Sequence, residues 1–333
     1  MEQGEKKRYD LRLWIFPCAL ILLIVVIAMF SSTLRGENRS VNRKIVLIGK
    51  STESEFFQTV FAGAKVAATE YNVELTTCGP DTEENYLMQN ELIGQAVLDG
   101  ANAVILSAVD YERNAEAVEQ AAEAGLMVIS IDSDVDSKLV RCRIGTDNYE
   151  AGRLAARAML EGTDEDLQIG IVNFDRNTAN GQEREAGFRE AMSKEPRVRS
   201  MRTINVRSSV SDARERTQEM LEAHPEINAV VTFNEWTSLG VGRAIRKLQK
   251  KDGIMAVGFD SNTVSVGLLE TGELDALIIQ NPYAIGYFGV ETAVRLMNAE
   301  SVSSERIDTS TALVTRENMY LPEYQKIIFP YTQ

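Results

Sequence analysis

The sequence predicts an α/β protein of two doubly wound parallel-sheet lobes, preceded by one N-terminal transmembrane helix. Three observations carry this. An 18-residue apolar segment stands near the N-terminus, two successive series of short β-branched runs alternate with stretches of helical spacing, and a polar turn separates the series. With 333 residues, 44% hydrophobic and 25% charged, the composition is that of an ordinary globular chain.

Residues 1–12 contain Lys6, Lys7, Arg8 and Arg12, and Leu13 to Phe30 (LWIFPCALILLIVVIAMF) carry no charge. At 1.5 Å per residue 18 positions span about 27 Å, close to a bilayer core. The basic flank places the N-terminus in the cytoplasm and everything beyond residue 30 outside, on a single-pass anchor in the cell membrane. A cleaved signal peptide fits less well, because the run ends in Ala28-Met29-Phe30 rather than an A-x-A-like site. Cys18 follows Ile-Phe-Pro within the run and does not resemble a lipidation site. Residues 31–43 (SSTLRGENRSVNR) are polar and turn-rich and read as a linker.

From Lys44 the first series reads KIVLIG, NVELTT, AVILSA, LMVISID and LVRCRIG, with FFQTVFAGAKVAATEY and YLMQNELIGQAVLDG between them. A polar turn, GTDNYEAG at 145–152, is the natural first crossover. The second series is LQIGIVNF, RSMRTINV, NAVVTF, IMAVGFD and DALIIQ. Near-continuous apolar strands belong to sheets covered on both faces, and ten strands exceed one ordinary doubly wound sheet, so two lobes are expected.

Charge and side-chain stock exclude several functions. Against 35 basic residues stand 49 acidic ones. Residues 1–40 hold six basic and four acidic groups, so residues 41–333 carry 29 against 45, and nucleic acid is excluded as a partner. His224 is the only histidine, and with Cys18, Cys78 and Cys142 it supplies neither a zinc site nor a Ser/His/Asp triad. GKST at 49–52 would need a glycine at Lys44 to complete a phosphate loop, and GVGRAI at 240–245 falls inside a helical stretch rather than after a strand. No catalytic residues, metal or cofactor are expected.

In doubly wound folds ligands meet the carboxyl ends of parallel strands. After these strands stand Ser54, Phe56 and Phe57; Ser107; Asp132 and Ser133; Thr146-Asp147-Asn148; Asn173; Asn234-Glu235-Trp236; Asp260; and Gln280. Carboxylates and amides facing aromatic rings suit a neutral polyol, whose hydroxyls hydrogen-bond while its C–H faces stack. Bland readings compete. A Phe pair at a helix start can be core, and aspartates after strands can be helix caps.

Residues 44 to about 316 resemble the type I periplasmic binding proteins of the ribose-binding kind, and the related ligand cores of LacI-type repressors. The likeness lies in IGKSTESEFFQTVFAGAKVAATEYNVEL, VISIDSDV, IGTDNYEAGRLAA, GQEREAGFREAM, AHPEINAVVTFNEWTSLGVGRAI, MAVGFDSN and LDALIIQNPYAIGYFGVETAVRL, in that order. A membrane segment stands where a repressor carries its DNA-binding helices. The resemblance implies a three-strand hinge joining lobe one at 44–147 plus 281–308 to lobe two at 148–280 plus 309–327. It implies ring stacking by Phe56 and Phe57, hydroxyl binding by Asp132 and Arg184, and further ligand contacts from Asn234, Asp260 and Gln280. Ser54 and Ser107 stand where asparagines are usual and Ser133 where an arginine is usual, which implies a ligand larger or differently oriented than ribose, or a furanose derivative. The implied partners are a monosaccharide or sugar derivative and an ABC permease, or alternatively a membrane sensor histidine kinase. Both external cysteines, Cys78 and Cys142, are expected to be free thiols on opposite edges of the first sheet.

Overall fold

The computed structural model describes residues 43–250, 253–302 and 304–329. The segment 13–30 and its flanks lie outside them, and among the described residues no helix is long and apolar enough to cross a membrane. From Lys44 onward the chain forms one compact unit containing two six-stranded sheets.

The first sheet is built from β1 (Lys44–Ile48), β2 (Glu74–Cys78), β3 (Ala103–Leu106), β4 (Met127–Ile131), β5 (Arg143–Thr146) and β11 (Arg306–Thr309), in the order β11-β5-β4-β3-β1-β2 and all parallel. Helices α1 (Glu55–Glu70), α2 (Tyr86–Leu98), α3 (Ala115–Glu123) and α9 (Pro282–Met297) accompany these strands. The second sheet comprises β6 (Leu167–Asn173), β7 (Val198–Asn205), β8 (Ala229–Thr232), β9 (Met255–Phe259), β10 (Ala276–Ile279) and β12 (Ala312–Thr315), in the order β12-β10-β9-β8-β6-β7, with only β12 antiparallel. Its helices are α4 (Asn148–Gly162), α5 (Ala179–Met192), α6 (Val210–Ala223), α7 (Glu235–Leu248) and α8 (Thr263–Thr271), with α10 (Pro322–Ile328) at the C-terminal end.

The all-apolar β3 and β10 are buried at every position, as strands covered on both faces must be. The chain passes from one sheet to the other after β5, after β10 and between β11 and β12. Glycines let helices meet backbone to backbone. A Cβ on Gly63 of α1 would lie 2.0 Å from the Tyr283 carbonyl oxygen of α9, and one on Gly152 of α4 would lie 2.0 Å from that of Arg184 in α5. The second approach fixes the helix that carries Arg184.

Cys78 and Cys142 are free. Cys78 ends β2 at one edge, whereas Cys142 precedes β5, which is not the opposite edge because β11 pairs outside it. Four strand spacings still separate the two, about 19 Å, beyond the roughly 7 Å a disulfide tolerates. Burial pushes the Cys78 thiol up to about 11 and raises that of Cys142. Both therefore stay protonated and unreactive at neutral pH. Thiol titration of an ectodomain preparation, which lacks Cys18, should give about two equivalents in denaturant and little without it. No thiol in denaturant would overturn this strand order.

Candidate functional site

The carboxyl ends of β1, β4, β6, β8, β9 and β10 point to one narrow cavity between the two sheets. It is lined by Lys50, Ser54, Phe56, Phe57, Glu83, Asp132, Phe174, Asn180, Arg184, Asn234, Glu235, Asp260 and Gln280. Eight of the ten predicted site residues are thus brought together. Ser107 stands behind the wall and donates from Oγ to Asp132 Oδ2 at 2.8 Å, orienting the carboxylate. Ser133 lies away from the cavity, beside the first crossover, and its buried Oγ has no hydrogen-bond partner.

Several members carry structure as well as facing the cavity. Ser54 caps α1 by accepting from Phe57 N, and Asn234 caps α7 with a reciprocal Thr237 contact. The aspartates are not caps. Asn262 caps α8, leaving Asp260 free to face the cavity. Asp132 and Asp260 both have left-handed backbones, with φ of 56° and 65°. Non-glycine residues held there gather at functional sites, because the surroundings must enforce the conformation.

Phe56 and Phe57 meet edge to face at 5.3 Å between centroids. Both rings belong to the core packed on the first sheet and also contribute to the cavity wall. Arg184 is 1% exposed, a charge held inside the protein. It donates to Asn148 Oδ1 at 2.9 Å, to the Phe233 carbonyl at 2.7 Å and to Gln280 Oε1 at 2.7 Å, lies 3.9 Å from Asp132 Oδ1, and stacks on Phe259. Gln280 also accepts from Thr146 Oγ1 at 2.8 Å, so two of the three crossings are tied to the floor of the site.

Polar groups already bridge the two sides. Lys50 Nζ donates to Asn180 Oδ1 at 3.1 Å, and Asn180 Nδ2 donates to Asp132 Oδ1 at 3.1 Å. Glu235 accepts from the Glu55 and Phe56 amides, each at 3.3 Å, and Ser208 Oγ donates to Glu83 at 2.6 Å. The cavity is closed to about 20 Å3, room for little more than a water, so a larger ligand requires the lobes further apart.

Lys50, Glu83, Phe174, Asn180 and Glu235 were not among the predicted site residues. Lys50 stands in GKST, which fails as a phosphate loop, and Glu235 follows its strand beside Asn234 with nothing in the sequence to give it a role. Glu83 has no sequence signal that distinguishes it from its neighbour Glu84.

Desolvation dominates the electrostatics. Burial pushes Glu83 and Asp260 up to about 7 despite Lys50 and Arg184 respectively, and raises Glu235. Burial lowers Lys50 against the pull of Asp132. An acid with a raised native value binds more protons folded than unfolded, so its contribution to stability falls as pH rises from the ordinary carboxyl range to about 7. Melting of the protein should therefore fall between pH 5 and 8, and Glu83→Gln with Asp260→Asn should flatten that decline. An unchanged slope in the double variant would remove these two groups as its source.

The sequence profile of the periplasmic binding protein domain matches residues 45–301. A D-ribose/D-allose-binding protein of Pseudomonas aeruginosa is 26% identical over 286 residues, 82% of this chain and 88% of the relative. A ribose import binding protein of Escherichia coli is 26% identical over 290 residues, 85% of this chain and 95% of the relative. Among solved structures, an ABC transporter solute-binding protein of Agrobacterium vitis with bound D-fucose aligns with a TM-score of 0.82 at 29% identity, covering 86% of this chain and 99% of that one. A carbohydrate transporter solute-binding protein of Agrobacterium radiobacter in complex with D-arabinose aligns at 0.81 with 27% identity, covering 87% and 99%.

Proposed function

The chain belongs to the periplasmic binding proteins, and from that premise we propose that it is an extracytoplasmic solute-binding protein whose two lobes close on a sugar for uptake by an ABC permease. It binds rather than transforms its ligand. The observation that supports this reading most is the cavity itself. The Phe56–Phe57 pair faces Asp132, Arg184, Asn234, Asp260 and Gln280 across a single space, with groups from both sheets. Carboxylates and amides match hydroxyls, and a ring face matches the C–H face of a sugar.

The lobes are assigned as 44–147 plus 281–308 and 148–280 plus 309–327, turning about the three crossings. Closure brings Asn180 and Glu235 against Lys50, Asp132 and the start of α1, and that closed surface is what a membrane partner reads. The ligands named for the relatives, D-ribose, D-allose, D-fucose and D-arabinose, are the first candidates. A thermal-shift panel on the full chain in detergent tests the proposal. A sugar at about 100 times its dissociation constant should stabilise by about 2.7 kcal/mol, and no shift with any pentose or hexose would refute it. Co-purification of a histidine kinase in place of a permease would replace the partner and leave the ligand class.

We further assign Leu13–Phe30 as a retained anchor. The membrane-bound protein should resist carbonate extraction and keep its N-terminal residues by mass spectrometry. Recovery of a soluble form starting near residue 31 would contradict this.

A further inference from the structure

Beside the closed cavity, on the side of the crossings, lies a second chamber of about 350 Å3. Phe56, Asp260 and Gln280 line both spaces and form the partition between them. The chamber's exposed lining is mainly apolar, with Pro282, Tyr283, Ile327 and Ile328, beside polar Gln58, Asn281, Thr311 and Lys326.

The partition is not one piece. Phe56 belongs to α1 beside the first sheet, and Asp260 follows β9 of the second. Across that boundary the Phe56 amide donates to Glu235 at 3.3 Å. The inner space of about 20 Å3 cannot hold a sugar ring until the lobes separate. A separation wide enough to admit a ring would also part Phe56 from Asp260 and join the two spaces. A ring seated among Asp132, Arg184 and Asp260 then has an apolar chamber next to it, which a free monosaccharide does not fill.

We infer that this chamber is an aglycone subsite, and that the ligand class is a glycoside carrying a flat, uncharged aglycone, an aryl glycoside or a nucleoside. The inference rests on the sugar-binding reading of the cleft. Tyr283 and Pro282 suit a flat ring, which gains by stacking and by leaving water. Glu55 and Asp260 against Lys326 leave no excess positive charge for an anionic group.

Calorimetry on the full chain in detergent, with D-ribose, D-arabinose, D-fucose, their phenyl glycosides and adenosine, tests this. At least one phenyl glycoside or adenosine should bind about tenfold or more tighter than its parent sugar. Tyr283→Ala and Ile327→Ala, both outside the inner cavity, should cut that advantage to about threefold or less, with parent-sugar affinity and melting temperature held. Preference for adenosine over phenyl ribofuranoside identifies a nucleoside site, and the reverse an aryl glycoside site. If parent sugars bind and no glycoside binds tighter, or if the advantage survives both variants, the subsite is overturned and the cleft reading stands. If nothing in the set binds, the subsite is overturned, and the cleft reading is decided by the full pentose and hexose panel.

Discussion

Asp260→Asn is expected to weaken sugar binding by about one to two powers of ten while raising the melting temperature of the sugar-free protein at pH 8. The carboxylate is 6% exposed, accepts from Gln280 Nε2 at 2.7 Å and faces the cavity. A hydroxyl donating to a charged acceptor is worth about 1.5 to 3 kcal/mol, and about 1 kcal/mol to a neutral one. The opposite effect on stability follows from burial, which pushes this carboxyl up to about 7. At pH 8 the native state holds an ionised group in a place that disfavours charge, and asparagine removes that cost. Asparagine also tolerates the left-handed backbone at 260 better than alanine, so conformational strain does not obscure the result. Calorimetric titration and melting on the same variant read both effects. Unchanged affinity would reassign Asp260 to structure, and a lowered melting temperature at pH 8 would contradict the desolvation account.

The second large effect is expected at Gly152. Its added Cβ would lie 2.0 Å from the Arg184 carbonyl oxygen and 2.9 Å from the Phe188 nitrogen. Backbone cannot rotate away as a side chain can, so α4 and α5 must part. Overpacking of this kind costs about 1 to 3 kcal/mol or more, several degrees of melting temperature in a chain of this size. Because α5 carries Arg184, whose guanidinium bonds Asn148, Phe233 and Gln280, the shift also loosens the floor of the site. Gly152→Ala should therefore lose both stability and sugar affinity. Gly94, exposed in α2 with nothing within 4 Å of an added Cβ, is the control. Gly94→Ala should be neutral or stabilising by up to about 1 kcal/mol. Equal melting of the two variants would show that the α4–α5 approach is not as close as described.

Ten strands were legible because most lie in apolar, β-branched runs bounded by turn residues. The last two in the chain were not. β11 is RIDT, with one apolar residue, and β12 is ALVT at the end of the chain; each becomes a strand only by pairing with β5 or β10. The candidate site shows the same division. Residues directly after strands, such as Asp132, Asn234 and Asp260, could be read from position. Lys50 and Glu83 could not, because their burial depends on the approach of the other lobe, which brings Asn180 to one and Ser208 to the other. Ser54 and Asn234 illustrate a third case. The sequence offered capping as the competing role of Asp132 and Asp260, yet it is Ser54 and Asn234 that cap helices while lining the cavity.

The measurement that bears most directly on the central claim is calorimetric titration of the full-length protein in detergent with pentoses and hexoses, beginning with D-ribose, D-arabinose and D-fucose. One of them should bind with 1:1 stoichiometry, and Asp132→Asn should weaken that binding by about a power of ten or more, because Asp132 is the carboxylate that Ser107, Asn180 and Arg184 together position at the cavity. Absence of binding by every pentose and hexose, or sugar binding unaffected by Asp132→Asn, would contradict the assignment of this cleft as a sugar site.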